Sequence, residues 1–281
     1  MRRRDFLKTT LFGAIFYGYS FRVFAGQKKM HTGRISDDFI RDYLQKMEDF
    51  DKPHPGDVYL DGNQLRILQS SLKRLTRLQR IIGYGNFHLL SFDEALKLAR
   101  NYSRVGRFTK EEIDFLEWIF YRDAAGYGFL GNKPMANLTD CIQKGKVKKI
   151  PGTGNYLYKG RPLSLYLKLR KDVGKHLILT SGVRSIMKQT LLFLNKANRS
   201  KGNLSLASRS LAPPGFSYHA VGDFDVGQIG YGVANFTERF TRTRVFQKLS
   251  RLNYITLRYS KGNFLGVRFE PWHIKVVSSS A

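Results

Sequence analysis

The chain has 281 residues, 42% hydrophobic and 14% aromatic, which is enough for a substantial buried core and excludes a disordered protein. It carries 48 Lys and Arg against 22 Asp and Glu, a formal net charge of +26, so we expect an anionic environment or partner. One cysteine excludes an intrachain disulfide framework.

The first 25 residues have the features of an export signal. They begin with the run Arg2-Arg3-Arg4-Asp5-Phe6-Leu7-Lys8, continue with an apolar stretch over residues 9–21, and end in Val23-Phe24-Ala25. This order resembles a twin-arginine signal peptide cleaved after Ala25, so the mature protein is expected in the periplasm. The apolar stretch is too short for an ordinary transmembrane helix, and no stable transmembrane segment is expected elsewhere.

Residues 36–145 have helical patterns. The apolar positions Leu65, Leu68, Leu72, Leu75, Leu78 and Ile82 fall on one face of a helix that ends at Gly83. Two capping boxes, Ser91 to Glu94 and Thr109 to Glu112, predict further helix starts. We therefore predict a helical N-terminal region over residues 26–150.

A Lys- and Gly-rich segment, residues 144–154, is the predicted boundary to a second domain at 151–281. There, His176–Thr180 has the pattern of a buried strand, and Ser185 begins a helix. Further strands are predicted near Phe224, over residues 255–259 and over 267–269, with a helix at 245–249. This order predicts an α+β fold: a small antiparallel sheet with helices on one side.

Two separated segments carry the residues of a metal site. His219 lies in Ser217-Tyr218-His219, and His273 ends the run Phe269-Glu270-Pro271-Trp272-His273. Two imidazoles and one carboxylate would give zinc (Zn²⁺) three protein ligands and leave the fourth position for water, as in catalytic sites. Glu270 is then the natural base for that water. Since Pro271 follows it, this segment is a strand or turn and not a helix interior.

Three blocks of residues together make the chain resemble the VanY-type D-alanyl-D-alanine carboxypeptidases, a family of zinc peptidases that trim bacterial cell-wall peptides. The blocks are Ser181-Gly182-Val183-Arg184-Ser185 with Gln189, then Ser217-Tyr218-His219-Ala220-Val221-Gly222 followed by an Asp, and Glu270-Pro271-Trp272-His273. Their order matches the family over roughly residues 155–277.

The third metal ligand is either Asp225 or Asp223. The family spacing places this Asp seven residues after the His, whereas Asp225 lies six and Asp223 four residues after His219. Asp225 is favoured because Val226-Gly227 follows it, as often occurs in the family. The other carboxylate is then expected to orient a ligand from outside the coordination sphere. The predicted metal ligands are His219, Asp225 and His273.

The resemblance implies the remaining roles. Glu270 would act as general base and Arg184 would stabilise the oxyanion or hold the peptide's carboxylate, while Gln189 and Ser217 are weaker candidates for substrate hydrogen bonds. The implied activity is zinc-dependent D,D-carboxypeptidase hydrolysis of peptidoglycan stem peptides. The alternatives are an endopeptidase of the same chemistry and a non-catalytic, zinc-stabilised protein that binds the cell wall. The sequence does not identify the peptide bond that is cut.

The expected partners are peptidoglycan peptides and the anionic surface of the cell envelope, which suits the basic charge. No nucleic-acid partner is expected, because the basic residues are spread through amphipathic helices without a nucleic-acid-binding motif. The N-terminal helical region is interpreted as a support for the catalytic domain, with a separate wall-binding module as the alternative.

Overall fold

The structure, a computed structural model, describes residues 37–276. The predicted signal peptide lies outside this range. Nine α-helices are assigned within it: α1 (Asp37–Glu48), α2 (Gly62–Ile82), α3 (Tyr84–Phe87), α4 (Phe92–Asn101), α5 (Lys110–Tyr121), α6 (Arg161–Val173), α7 (Ile186–Arg199), α8 (Leu204–Ser208) and α9 (Arg244–Leu249). The described part of the chain contains no helix long and apolar enough to cross a membrane.

The N-terminal helices begin where the sequence predicted them. The side chains of Ser91 and Thr109 accept hydrogen bonds from the third residue of α4 and α5, completing both capping boxes. Helix α2 ends at Gly83, whose φ of +89° is unfavourable for residues with a side chain. The predicted helical region is, however, too long at its C-terminal end. After Tyr121 the chain has only 3₁₀ turns and loops up to residue 146.

Five strands form two antiparallel sheets in the described residues. A two-stranded sheet pairs β1 (Val147–Lys149) with β2 (Tyr156–Tyr158). A three-stranded sheet has the order β3 (Leu177–Ser181), β4 (Phe224–Gln228) and β5 (His273–Ile274), with β4 in the centre. The fold is thus α+β, as predicted.

Two of the predicted strands are wrong. Residues 267–269 form no strand, because their backbone groups bond to separate segments: the Arg268 amide donates to the carbonyl of Arg209. Residues 255–259 form only an isolated bridge, between Leu257 and Ile274. The third strand of the sheet is β5 instead, after Pro271, a residue that cannot donate a backbone hydrogen bond.

Two main apolar cores hold these elements together. The larger core lies between α2, α5 and α7, where Leu75, Phe120 and Phe193 are buried together. It therefore contains residues from both sides of the predicted boundary at residue 150. The smaller core lies under the three-stranded sheet, where Leu169 of α6 packs near Phe224 of β4. Helix α7, which follows β3 directly, thus connects the sheet to the N-terminal helices. The division into two domains stays a prediction.

Candidate metal centre and active site

The three-stranded sheet places three residues of the candidate site side by side. In the register of the sheet, Asp225 of β4 is the partner of Ser181 on β3 and of His273 on β5. The pairing of β3 with β4 shifts between Leu179 and Ser181, an irregularity of the kind that often occurs beside functional sites. Asp225 in the central strand thus has a site residue on either side.

His219 reaches the same point from a 3₁₀ turn, Tyr218–Ala220. Its Nδ1 lies 2.8 Å from the carbonyl oxygen of Gly182, to which a protonated Nδ1 donates a hydrogen bond. Its Nε2 then carries the lone pair and lies 3.3 Å from Oδ1 of Asp225. The carbonyl of Gly182 is fixed in turn, because the chain at this glycine packs so tightly against Tyr156 that a Cβ atom would collide with the Tyr156 carbonyl. The backbone thereby selects the ring orientation that a metal ligand needs.

His273 lies between three carboxylates. Its Nδ1 is 3.5 Å from Oδ1 of Asp225 and 3.2 Å from Oε2 of Glu270, and its Nε2 is 3.2 Å from Oδ2 of Asp223. Nδ1 therefore faces Asp225 and Glu270, while Nε2 faces Asp223. An imidazole that donates a hydrogen bond to a carboxylate through one nitrogen is well oriented to bind a metal through the other.

The donor atoms of His219, Asp225 and His273 fit a metal ion. One ligand atom from each residue lies within 4.8 Å of the others, and all three residues are buried. His219 Nε2 and Asp225 Oδ1 are buried and have no hydrogen-bond partner among residues 37–276. Two buried acceptors that face each other are unfavourable unless a cation lies between them. Two imidazoles and one carboxylate are also a common ligand set of catalytic zinc.

Asp223 is held in a second layer behind His273. Its carboxylate accepts two hydrogen bonds from Arg258, from Nε at 2.7 Å and from Nη2 at 3.0 Å, and a third from the backbone amide of Val276 at 2.8 Å. A fourth contact, to His273 Nε2, means that both oxygens of Asp223 are already occupied and neither is available to the donor cluster. The geometry therefore favours Asp225 as the metal ligand and Asp223 as the residue that orients His273.

The electrostatics of the cluster agree with a bound cation. Burial, and then the charge of Arg184, lower the pKa of His219 to about 4, so this ring is neutral and able to coordinate. Burial alone would also lower the pKa of His273, but its hydrogen bonds to Asp223 and Glu270 raise it to about 9. The carboxylates around His273 thus favour positive charge at this position, which a divalent ion on Nδ1 would supply.

Arg184 contacts the cluster through Asp225. Its Nη2 lies 2.7 Å from Asp225 Oδ2, and its Nε donates to Ser181 Oγ at 2.8 Å. Burial by itself raises the pKa of Asp225, but its interaction with His219 and the charge of Arg184 hold that pKa well below its usual range. Arg184 therefore keeps the candidate ligand ionised and places a guanidinium beside the metal position.

These residues open into a cavity of about 400 Å³. Besides the three candidate ligands, its walls include Arg184, Glu270, Ser217, Lys188, Arg268, Tyr259 and Trp272. All predicted site residues except one thus line a single cavity. The exception is Gln189, which is buried and donates its side-chain amide to the carbonyl of Ala212. In the structure, the Gln189 side chain is thus hydrogen-bonded to the backbone and lies outside the cavity wall.

Sequence reasoning missed several residues of this site. Arg258 is 35 positions from Asp223, and nothing in its own neighbourhood distinguishes it from the many other arginines. Tyr259 packs its buried ring edge-on against His273, with the ring centroids 5.0 Å apart. Its backbone carbonyl also accepts the hydrogen bond from the Glu270 amide. The only sequence signal for Arg258 and Tyr259 was their position within the predicted strand at 255–259.

The fold and the site define an α+β protein with a buried His/Asp/His cluster suited to a catalytic metal. Residues 163–279 match the family model of VanY, D-alanyl-D-alanine carboxypeptidase. The match contains every predicted metal ligand and catalytic residue. The family resemblance inferred from the sequence is thereby confirmed over these residues.

Solved structures give weaker matches. The LdcB LD-carboxypeptidase has 25% sequence identity and a TM-score of 0.39, and the alignment covers 47% of this chain and 64% of LdcB. A mutant of the D,D-pentapeptidase VanY from a VanB-type vancomycin resistance cassette, in complex with Zn(II), has 23% identity, a TM-score of 0.38, and coverage of 47% and 78%. VanYB in complex with D-alanine-D-alanine has 22% identity, a TM-score of 0.35, and coverage of 47% and 77%. No curated protein matches the chain.

Proposed function

We propose that this protein is an exported zinc peptidase that removes the terminal D-alanine from peptidoglycan stem peptides. The observation that carries the proposal is the placement of Glu270 beside the donor cluster. Its Oε2 lies 3.2 Å from His273 Nδ1, the nitrogen that faces Asp225. A group that accepts a proton from water thus lies next to three residues that suit zinc.

The residues divide the chemistry between them. Zinc, when bound, lowers the pKa of water towards neutrality and polarises a carbonyl group. His219, Asp225 and His273 would hold it, and Asp223 with Arg258 would keep His273 in position. Glu270 accepts the proton of the attacking water and later donates it to the leaving amine.

Arg184 stabilises the negative charge that develops on the oxygen of the scissile carbonyl group. A planar guanidinium fixed by Asp225 and Ser181 needs little rearrangement to do so. Ser217, buried on the cavity wall, is a candidate hydrogen-bond partner of the peptide.

The location belongs to the same proposal. The run Arg2-Arg3-Arg4 and the cleavage motif ending at Ala25 support export to the periplasm through the twin-arginine pathway. There the net charge of +26 would favour contact with the anionic cell envelope, whose peptidoglycan contains the substrate.

The proposal is tested on purified peptidoglycan. The mature protein, from residue 26, is incubated with muropeptides with and without a zinc chelator, and the products are analysed by mass spectrometry. The carboxypeptidase predicts release of single D-alanine residues that stops when zinc is removed. Cleavage within cross-links would identify an endopeptidase instead. Binding without any cleavage would identify a zinc-stabilised binding protein.

A further inference from the structure

Lys188 is a cation of the cavity that the proposed mechanism leaves unused. It lies in the first turn of α7, four residues after Arg184, and its side chain lines the cavity. The cavity wall also carries Arg184 and Arg268, which differ from Lys188 in their contacts. Arg268 donates through Nη2 to the carbonyl of Phe236 at 2.9 Å. Arg184 is engaged by Asp225 and Ser181, whereas the Lys188 ammonium forms neither a salt bridge nor a hydrogen bond within residues 37–276.

The surroundings of Lys188 favour an anionic ligand. The ammonium is largely buried, and burial, followed by the charge of Arg184, lowers the pKa of Lys188 to about 8. It is therefore still mostly charged at neutral pH. A partly desolvated cation near a second cation is stabilised strongly by a carboxylate. The nearby His88 adds no charge, because burial and then Lys188 lower its pKa to about 4.

The peptide substrate carries a carboxylate at a suitable place. In a carboxypeptidase substrate, the terminal α-carboxylate lies one residue beyond the carbonyl that is attacked, or roughly 3.5 Å along an extended chain. Its partner must therefore line the same cavity as Glu270 and Arg184. Gln189, the neighbouring family-pattern residue, is turned towards Ala212 and does not line this cavity. Lys188 does.

We infer that Lys188 is the specificity residue that binds the terminal carboxylate of the substrate, leaving Arg184 to the developing oxyanion. The inference rests on the proposed function and deepens it. It implies that a free C-terminus is required for efficient cleavage, since a neutral or extended C-terminus would leave the Lys188 charge without a partner.

The test uses two peptides that end in D-alanyl-D-alanine and differ only in a free carboxylate or a C-terminal carboxamide. The kcat/KM of the zinc-loaded wild type should be about 10- to 100-fold higher for the acid, as expected for one charge-assisted hydrogen bond. In Lys188→Met, the acid should lose most of this advantage, while the amide is cleaved at nearly the wild-type rate. Lys188→Arg should restore much of the preference.

Lys196→Met is the matched control. Lys196 is a second partly buried lysine of α7 whose pKa is lowered by burial, but it does not line the cavity. Its variant should keep the wild-type ratio of acid to amide. Zinc content and circular dichroism are measured for every variant, and Lys188→Gln replaces Lys188→Met if the latter does not fold.

The possible outcomes separate the two proposals. If the wild type cleaves both peptides and the Lys188 variants keep its ratio of acid to amide, the role of Lys188 is refuted while the peptidase survives. If the zinc-loaded wild type cleaves neither peptide, the proposed function itself fails and the inference falls with it.

Discussion

Arg258 binds Asp223 through two hydrogen bonds, with Nε 2.7 Å from Oδ2 and Nη2 3.0 Å from Oδ1. The guanidinium also lies over the ring of Tyr218, at 3.6 Å from its centroid, next to His219 in the chain. One arginine thus supports the segments of both histidines. Its backbone amide donates a hydrogen bond to the carbonyl of His273, at 3.1 Å. Within residues 37–276 its guanidinium makes no hydrogen bond or ion pair with the three donor residues, but it fixes the carboxylate that orients His273.

Replacing Arg258 by Met should therefore weaken both the fold and the metal site. Asp223 would remain as a buried carboxylate without its cation, a change that costs up to about 3–5 kcal/mol of unfolding free energy. Zinc affinity should fall by about 10- to 100-fold, as for other groups that orient a metal ligand. Urea unfolding and zinc titration measure the two effects. The exposed Arg251→Met is the control, and unchanged zinc affinity in Arg258→Met would remove the positioning role.

Asp225 and Asp223 should differ in their effect on zinc. Asp225→Ala removes a ligand atom and should abolish stable binding at one equivalent of metal. Asp223→Ala removes only the partner of His273 Nε2 and should retain zinc with about 10-fold lower affinity. Metal analysis after dialysis, combined with titration, distinguishes the two variants. The opposite order of effects would make Asp223 the ligand.

Glu270→Gln should separate catalysis from metal binding. The amide has nearly the same shape, so zinc content should stay close to wild type, but it cannot accept the proton of the attacking water. Loss of a general base costs on the order of 10²–10⁴-fold in rate, and the upper end is expected because Glu270 also donates the proton to the leaving amine. Release of D-alanine is measured, with the exposed Glu238→Gln as control. Wild-type turnover in Glu270→Gln would exclude Glu270 as the base.

Export should depend on the arginine pair itself. Replacing Arg3 and Arg4 by Lys preserves the charge but removes the guanidinium groups on which twin-arginine recognition depends. The full-length precursor of this variant should accumulate in the cytoplasm, as followed by cell fractionation. A cytoplasmic zinc-loaded fraction would also show that the metal can bind before export. Normal delivery of the variant to the periplasm would contradict the twin-arginine assignment.

The sequence by itself determined the helix starts and the types of residue in the site. Capping boxes are local, because Ser91 and Thr109 reach only the third residue of their own helices, so their pattern is readable in the chain. The family resemblance likewise depended on short blocks of residues in a fixed order, which pointed to His219, Glu270 and His273 without knowledge of the fold. The family model matches the part of the chain that contains them, residues 163–279.

Only the tertiary structure showed which contacts each of these residues makes. The sequence left Asp223 and Asp225 as alternatives, because two carboxylates two residues apart differ little in spacing. They are distinguished by partners distant in sequence. Arg258 forms a hydrogen-bonded ion pair with Asp223, whereas Ser181 and His273 flank Asp225 in the sheet. The tertiary structure also separates Gln189, a predicted site residue, from its neighbour Lys188, which the sequence analysis did not single out. Gln189 is buried and hydrogen-bonded to the carbonyl of Ala212, whereas Lys188 lies on the cavity wall. Local spacing does not encode this difference, because both contacts are made with segments distant in the chain.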